Sequence, residues 1–196
     1  MKTLMVAALA VAAVGANIAF AEEDDGIVSA APVIADPVNP QPGMLANAYN
    51  IGCYRNSEWR ANAALDALAK SPSVKTYVDT TTSFTRAGVP KEIRTNVIKW
   101  EGFIKCKRAT SYTFSFDNSG WYSFYVNGRQ CIEIGDGQQS LDADLKLGWN
   151  KVVFVAKLEG VNRKFTVGYR PKGSMSDPRS LSPGMMYYDK PVEEDW

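Results

Sequence analysis

The chain has 196 residues, carries 22 Lys and Arg against 21 Asp and Glu, and contains no histidine. The lack of histidine excludes Ser-His-Asp and Cys-His nucleophile systems and every His-bearing zinc site. Balanced charge without a basic run leaves no electrostatic footprint for nucleic acid or for an anionic membrane surface.

Residues 1–21 read as a secretory signal peptide. Met1-Lys2-Thr3 gives a positive start, Leu4 to Val14 an apolar core, and Ala19-Phe20-Ala21 an Ala-x-Ala cleavage signature followed at once by Glu22-Glu23-Asp24-Asp25. The apolar core is about half the ~20 residues that a bilayer span needs, so no transmembrane segment is expected once Ala21–Glu22 is cut. Export to the periplasm, the cell surface or the medium follows. Lys2 is the only charge removed, which leaves the mature chain neutral.

Residues 22–41 form an acidic, then Pro-rich leader in which Pro32, Pro37 and Pro40 prevent a helix. It reads as a flexible tether or, alternatively, as a strand from Ile27 to Val38 lent to a neighbouring subunit. One helix is predicted from Glu58 to about Ala69, capped by Ser57 and ended by Pro72. Trp59 and Ala63, then Leu65 and Leu68, mark two adjoining apolar stripes.

From Asn96 the hydrophobic period changes to two, the signature of strands. Ile98, Trp100, Ile104 and Cys106 share one face, with Trp100 a core residue. Tyr112, Phe114 and Phe116 share one face of the next strand. Tyr122, Phe124 and Val126 then alternate with Trp121, Ser123 and Tyr125 up to Asn127-Gly128, a dipeptide that accepts positive φ twice and so predicts a tight hairpin. Alternation must bury one of these two series, so at most one of them is free to meet a ligand. Further strands are predicted at 130–134, 141–147, 151–158 and 164–170, with turns at Gly135-Asp136-Gly137, Gly148-Trp149-Asn150 and Gly160-Val161-Asn162. Short strands with regular turns indicate an all-β, antiparallel two-sheet β-sandwich with one short helix before the main strand run.

Asp142 and Asp144 sit two apart on one strand face, as solvated alternation opposite Leu141, Ala143 and Leu145. A glycosidase needs its acid and nucleophile on separate elements, so no catalytic residue is assigned. Cys53, Cys106 and Cys131 allow three pairings in an oxidising compartment. Cys106–Cys131 is the expected bridge, because both lie in the strand-rich half and the segment between them folds back through two turns. It would close a loop of about 25 residues and contribute roughly 3 kcal/mol.

The order of Pro42-Gly43-Met44, residues 98–104 (Ile-Lys-Trp-Glu-Gly-Phe-Ile), residues 111–120 (Ser-Tyr-Thr-Phe-Ser-Phe-Asp-Asn-Ser-Gly) and Phe124-Tyr125-Val126-Asn127-Gly128 resembles the PA-fourteen family. That family is the β-sandwich module of anthrax protective antigen, of yeast flocculin-type adhesins and of some glycosidases. The likeness spans residues 42–188, leaving 189–196 as a C-terminal tail. In sugar-binding members the turn matching Asp117-Asn118 holds two aspartates that bind calcium, and the ion grips sugar hydroxyls. The resemblance therefore implies Asp117 and Asn118 as metal ligands. Asp117, Asn118, Trp121, Tyr122 and Asn127 are the implied glycan contacts. Asn118 and Asn127 stand where the family has or often has an acid, which removes ligand charge and weakens the calcium site.

The expected function is a secreted, non-catalytic carbohydrate-binding or adhesion module with a glycan ligand. The alternative is a structural subunit of a surface or extracellular assembly built by homo-oligomerisation. Glycan stacking would use exposed aromatic faces near the Asp117 loop, with Trp121, Tyr122, Tyr125 and Trp149 the dense set.

Overall fold

Aromatic and β-branched residues alternate from residue 97 onward, and this pattern makes strands whose two faces differ. The computed structural model describes residues 34–158 and 163–191. The expected signal peptide, the leader up to residue 33, the Gly160-Val161-Asn162 turn and the last five residues lie outside that range.

In chain order the elements are β1 (Pro40–Pro42), β2 (Met44–Tyr49), α1 (Asn56–Asn62), α2 (Leu65–Lys70), β3 (Lys75–Asp79) and β4 (Val97–Cys106). They continue with β5 (Thr110–Val126), β6 (Arg129–Leu145), β7 (Gly148–Lys157), β8 (Thr166–Pro171), β9 (Arg179–Leu181) and β10 (Tyr187–Asp189). All pairings are antiparallel. The sheet curls into two layers because the 17-residue strands β5 and β6 each belong to both. Tyr122–Val126 of β5 pairs with β7, whereas Tyr112–Asp117 pairs with β8. The main layer is β3-β2-β4-β7 with the second half of β5, and the small layer is the first half of β5 with β8 and β9. The described end of the leader joins the sheet, since β1 pairs with β10, Pro37 is buried and Asp36 lies 3.5 Å from Lys146.

The core between the layers is largely aromatic. Phe154 of β7 stacks on Phe124 of β5 at 5.1 Å, and Phe84 meets Phe154 and Trp100 edge-on. Trp100 is fully buried as predicted, and its indole N–H donates to Asp79 Oδ2 at 2.8 Å. Burying side chains of this size contributes about 1.5–3 kcal/mol each. A second core lies on the other face of the main layer, where Trp59, Ala63 and Leu68 cover Val97, Val153 and Val155. Trp59 Nε1 donates to Ser123 Oγ at 2.9 Å and to the Glu133 carbonyl at 3.1 Å, which ties the helices to the sheet.

Three expectations change. The single helix is two, broken at Ala64, whose ψ of 150° is extended; the break turns both predicted apolar stripes onto one surface. The first helix is capped by Glu58 rather than by Ser57, its carboxylate accepting the Tyr54 and Arg55 amides. Second, Asp117-Asn118 and Gly135-Asp136-Gly137 are not turns. Both lie inside continuous strands at the bend of the β5–β6 pair, where the register shifts between Asn118 and Tyr122. Gly135 permits this bend because a Cβ there would sit 2.2 Å from the Tyr122 ring. The Asn127-Gly128 hairpin forms as predicted, with φ of 49° and 80°.

Third, the Cys106–Cys131 disulfide is not formed, and both are free thiols. Cys106 lies at the end of β4 and Cys131 on β6, with β7 and β5 between them. Three strand spacings are about 14 Å, twice the ~7 Å limit for a bridge. Cys131 is the extra residue of a bulge, since Phe124 pairs with Ile132 while Tyr125 pairs with Gln130.

Candidate functional site

Because the inner positions of the small layer go to Phe114, Phe116 and Val167, the alternate positions face outward, and those are polar. Two rungs cross the strands there. One runs Gln138, Asp117, Thr166, and the other Ser140, Ser115, Gly168, Ser180. Together with Pro178 they line a groove of about 490 Å³. Gly168 supplies its floor, since a Cβ at that position would lie 2.5 Å from Ser115 Oγ and 3.0 Å from the Pro178 ring. Asp117 is the one carboxylate among the described residues of the lining, exposed, and it accepts from Gln138 Nε2 at 3.3 Å. The groove thus offers hydroxyls, an amide and a carboxylate within two rungs, a mixed donor and acceptor surface suited to a polyhydroxyl ligand.

Of the residues expected at a ligand site, only Asp117 reaches this groove. Asn118 is its neighbour in an extended strand, so its side chain points to the opposite face. It is 2% exposed, and its Nδ2 donates to the carbonyls of Gly120, Trp121 and Lys157, pinning the bend. Its Oδ1 is buried with no hydrogen-bond partner. Tyr122 is fully buried, its hydroxyl 3.4 Å from the Gly137 carbonyl. Burial, helped by the Asp136 and Asp117 carboxylates, pushes that hydroxyl up to about 12. Trp121 stands edge-on to Trp59, and the Lys157 ammonium lies 4.9 Å over its ring. Both β5 series are therefore largely covered, the Tyr122 series by the core between the layers and the Trp121 series by the helices. Asn127 sits at the far hairpin, donating to Asn150 Oδ1 and accepting the Lys151 amide.

These donors do not make a calcium site. Asp117 and Asn118 face opposite ways, and the Asn127 oxygen is committed to a backbone amide, so one charged oxygen remains where calcium takes six to eight ligands. Among the described residues no three His, Cys, Asp or Glu side chains come close enough to hold a metal. Asp142 and Asp144 are engaged on the surface, Asp142 by Thr113 and Lys172 and Asp144 by Ser111. Hydrogen bonds from Thr113 and then Lys172 hold the Asp142 carboxyl below its ordinary range, the opposite of a proton donor. Ser115, Gln138, Ser140, Thr166 and Ser180 went unassigned in the sequence. The signal for Ser115 was its place between Phe114 and Phe116, but the rungs become visible only with the strand register.

No family model matches the sequence, and no curated protein does. Solved structures do match. The PA14 domain of the antifreeze protein MpAFP superposes with a TM-score of 0.57 at 12% identity, covering 84% of this chain and 100% of that one. The A domain of epithelial adhesin 9 from Candida glabrata, solved in complex with Galβ1-4GlcNAc, gives 0.54 at 14% identity, covering 79% and 92%. An anti-sigma factor domain-containing protein from Clostridium clariflavum gives 0.53 at 13% identity, with 80% of this chain matched to 52% of that one. The fold is that of a PA14 (PA-fourteen) domain. Among the described residues no helix is long and apolar enough to cross a membrane.

Proposed function

We propose that the chain is an exported, non-catalytic glycan-binding or adhesion module whose ligand lies over Ser115, Asp117, Thr166 and Gly168. The observation that carries this reading is the groove itself: a notch at Gly168 bordered by hydroxyls, with one carboxylate at its edge. The adhesin of like fold, solved with a galactose-containing disaccharide, supports a glycan as the class of ligand. Recognition here rests on hydrogen bonds, since among the described residues of the groove no aromatic ring is exposed, and it is independent of calcium. Export rests on the Ala-x-Ala pattern before Glu22. Intact-mass analysis of secreted material is expected to show a chain beginning at Glu22, and retention of residues 1–21 would remove simple export.

The test is a glycan array run with and without a chelator, with a sizing measurement on the same protein. Binding that survives the chelator, by a monomer, is the expected result. Asp117→Ala is expected to lose binding at least tenfold while folding normally. If Asp117→Ala binds as well as the parent, the groove is not the site. A ladder of oligomers without glycan binding selects the assembly subunit instead.

A further inference from the structure

The two layers part at one end, and the opening is not polar. It is a cavity of about 940 Å³ between the ends of β4, β5, β6 and β8. Phe114, Leu145 and Leu181 form its buried floor, Tyr112 and Tyr169 its walls, and the exposed apolar side chains of Leu147 (66%) and Met185 (55%) its lip. Exposed apolar residues grouped around a concavity cost solvation unless something occupies it. Among the described residues every charged side chain in the lining is a cation: Lys105, Lys107 and Arg108, all exposed. Lys105 already lies 5.0 Å over the Trp149 ring, whereas Lys107 and Arg108 have no ion-pair partner among the described residues.

An apolar interior behind a cationic rim has the chemistry of a site for an anionic amphiphile. We infer that the mouth binds a free single-chain fatty carboxylate, its chain between the layers and its carboxylate on Lys107 and Arg108. A second copy of this chain fits less well, because an isologous contact through the mouth would set the cationic rims against each other. This site is separate from the groove and does not depend on the glycan reading.

Cys106 reports on the mouth, since it lines the cavity and is 8% exposed. The full chain is titrated with laurate, myristate and palmitate below their micellar concentrations. Binding and the rate of Cys106 modification by a thiol reagent are followed, the latter by peptide mass mapping. Each added CH₂ is expected to tighten binding about three- to fourfold, and saturating palmitate to slow Cys106 modification at least tenfold without slowing Cys131. Lys107→Glu with Arg108→Glu, two exposed positions outside the core, is expected to weaken palmitate at least tenfold and leave palmitamide within about twofold. Affinity independent of chain length, unprotected Cys106, or equal loss for palmitate and palmitamide would each overturn the site. So would binding to vesicles of anionic phospholipid with no binding of monomeric palmitate, which would make the lip a membrane contact.

Discussion

The two layers of the sheet solve different problems. The centre of the main layer is buried on both faces, by the aromatic core on one side and by α1 and α2 on the other, so β7 is covered from Val152 through Ala156. Its strand is a near-continuous apolar run, as doubly covered strands require. The small layer is buried on one face only, and its strands alternate between Phe114, Phe116, Val167 inside and Ser115, Asp117, Thr166 outside. Substitutions in the main layer should therefore act on stability. Those on the outer face of the small layer should act on binding and leave the fold nearly intact.

The largest expected stability effect belongs to the main layer. Phe154→Ala removes a fully buried ring that touches Phe84, Phe124 and Phe165, and is expected to cost about 3–5 kcal/mol in denaturant unfolding. Trp59→Phe keeps most of the packing but deletes the indole donor shared by Ser123 and Glu133. A loss of about 1–2 kcal/mol is expected, with the glycan affinity unchanged. A large change in that affinity would mean that the two layers are coupled.

On the small layer the order reverses. Gly168→Ala places a Cβ against Ser115 Oγ and the Pro178 ring, so a calorimetric titration with the glycan is expected to show binding lost at least tenfold. The stability cost is about 1 kcal/mol, because Ser115 can rotate away. Asp117→Ala costs less than about 1 kcal/mol and removes the only carboxylate among the described residues of the groove.

The smallest effect is electrostatic. Burial pushes the Glu101 carboxyl up, but Lys151 at 2.5 Å and Lys99 at 3.1 Å outweigh it and leave it below its ordinary value of 4.5. A carboxyl lowered on folding stabilises the native state at neutral pH, and that contribution is lost as pH falls from about 4.5 through the folded value. Glu101→Gln is therefore expected to flatten the acid limb of the stability curve, by less than about 1 kcal/mol for a pair this near the surface. An unchanged acid limb would show that the lysines do not hold the carboxylate in solution.

Much of the fold was legible because alternation reports directly on which face is buried. Ile98, Trp100, Phe114 and Phe124 all went inward, and Asn127-Gly128 made the hairpin. The bend of β5 and β6 was not legible, since Gly and Asn allow a chain either to turn or to bend within a strand. Here the cross-strand pairing decided for a bend. The same ambiguity moved the expected site. A turn would have let Asp117 and Asn118 face one ion, whereas a strand sends them to opposite faces. Cys106 and Cys131 failed to meet for a related reason, since chain order does not reveal that β7 inserts next to β4.

The most direct test of the groove is backbone amide chemical-shift mapping during titration with the glycan that scores best on the array. Shifts confined to residues 115–117, 138–140 and 166–168, with the Trp121 indole and the Asn127 amide unmoved, are the expected result. Shifts centred on Trp121, on Asn127 or on the apolar mouth, with the groove silent, would contradict it.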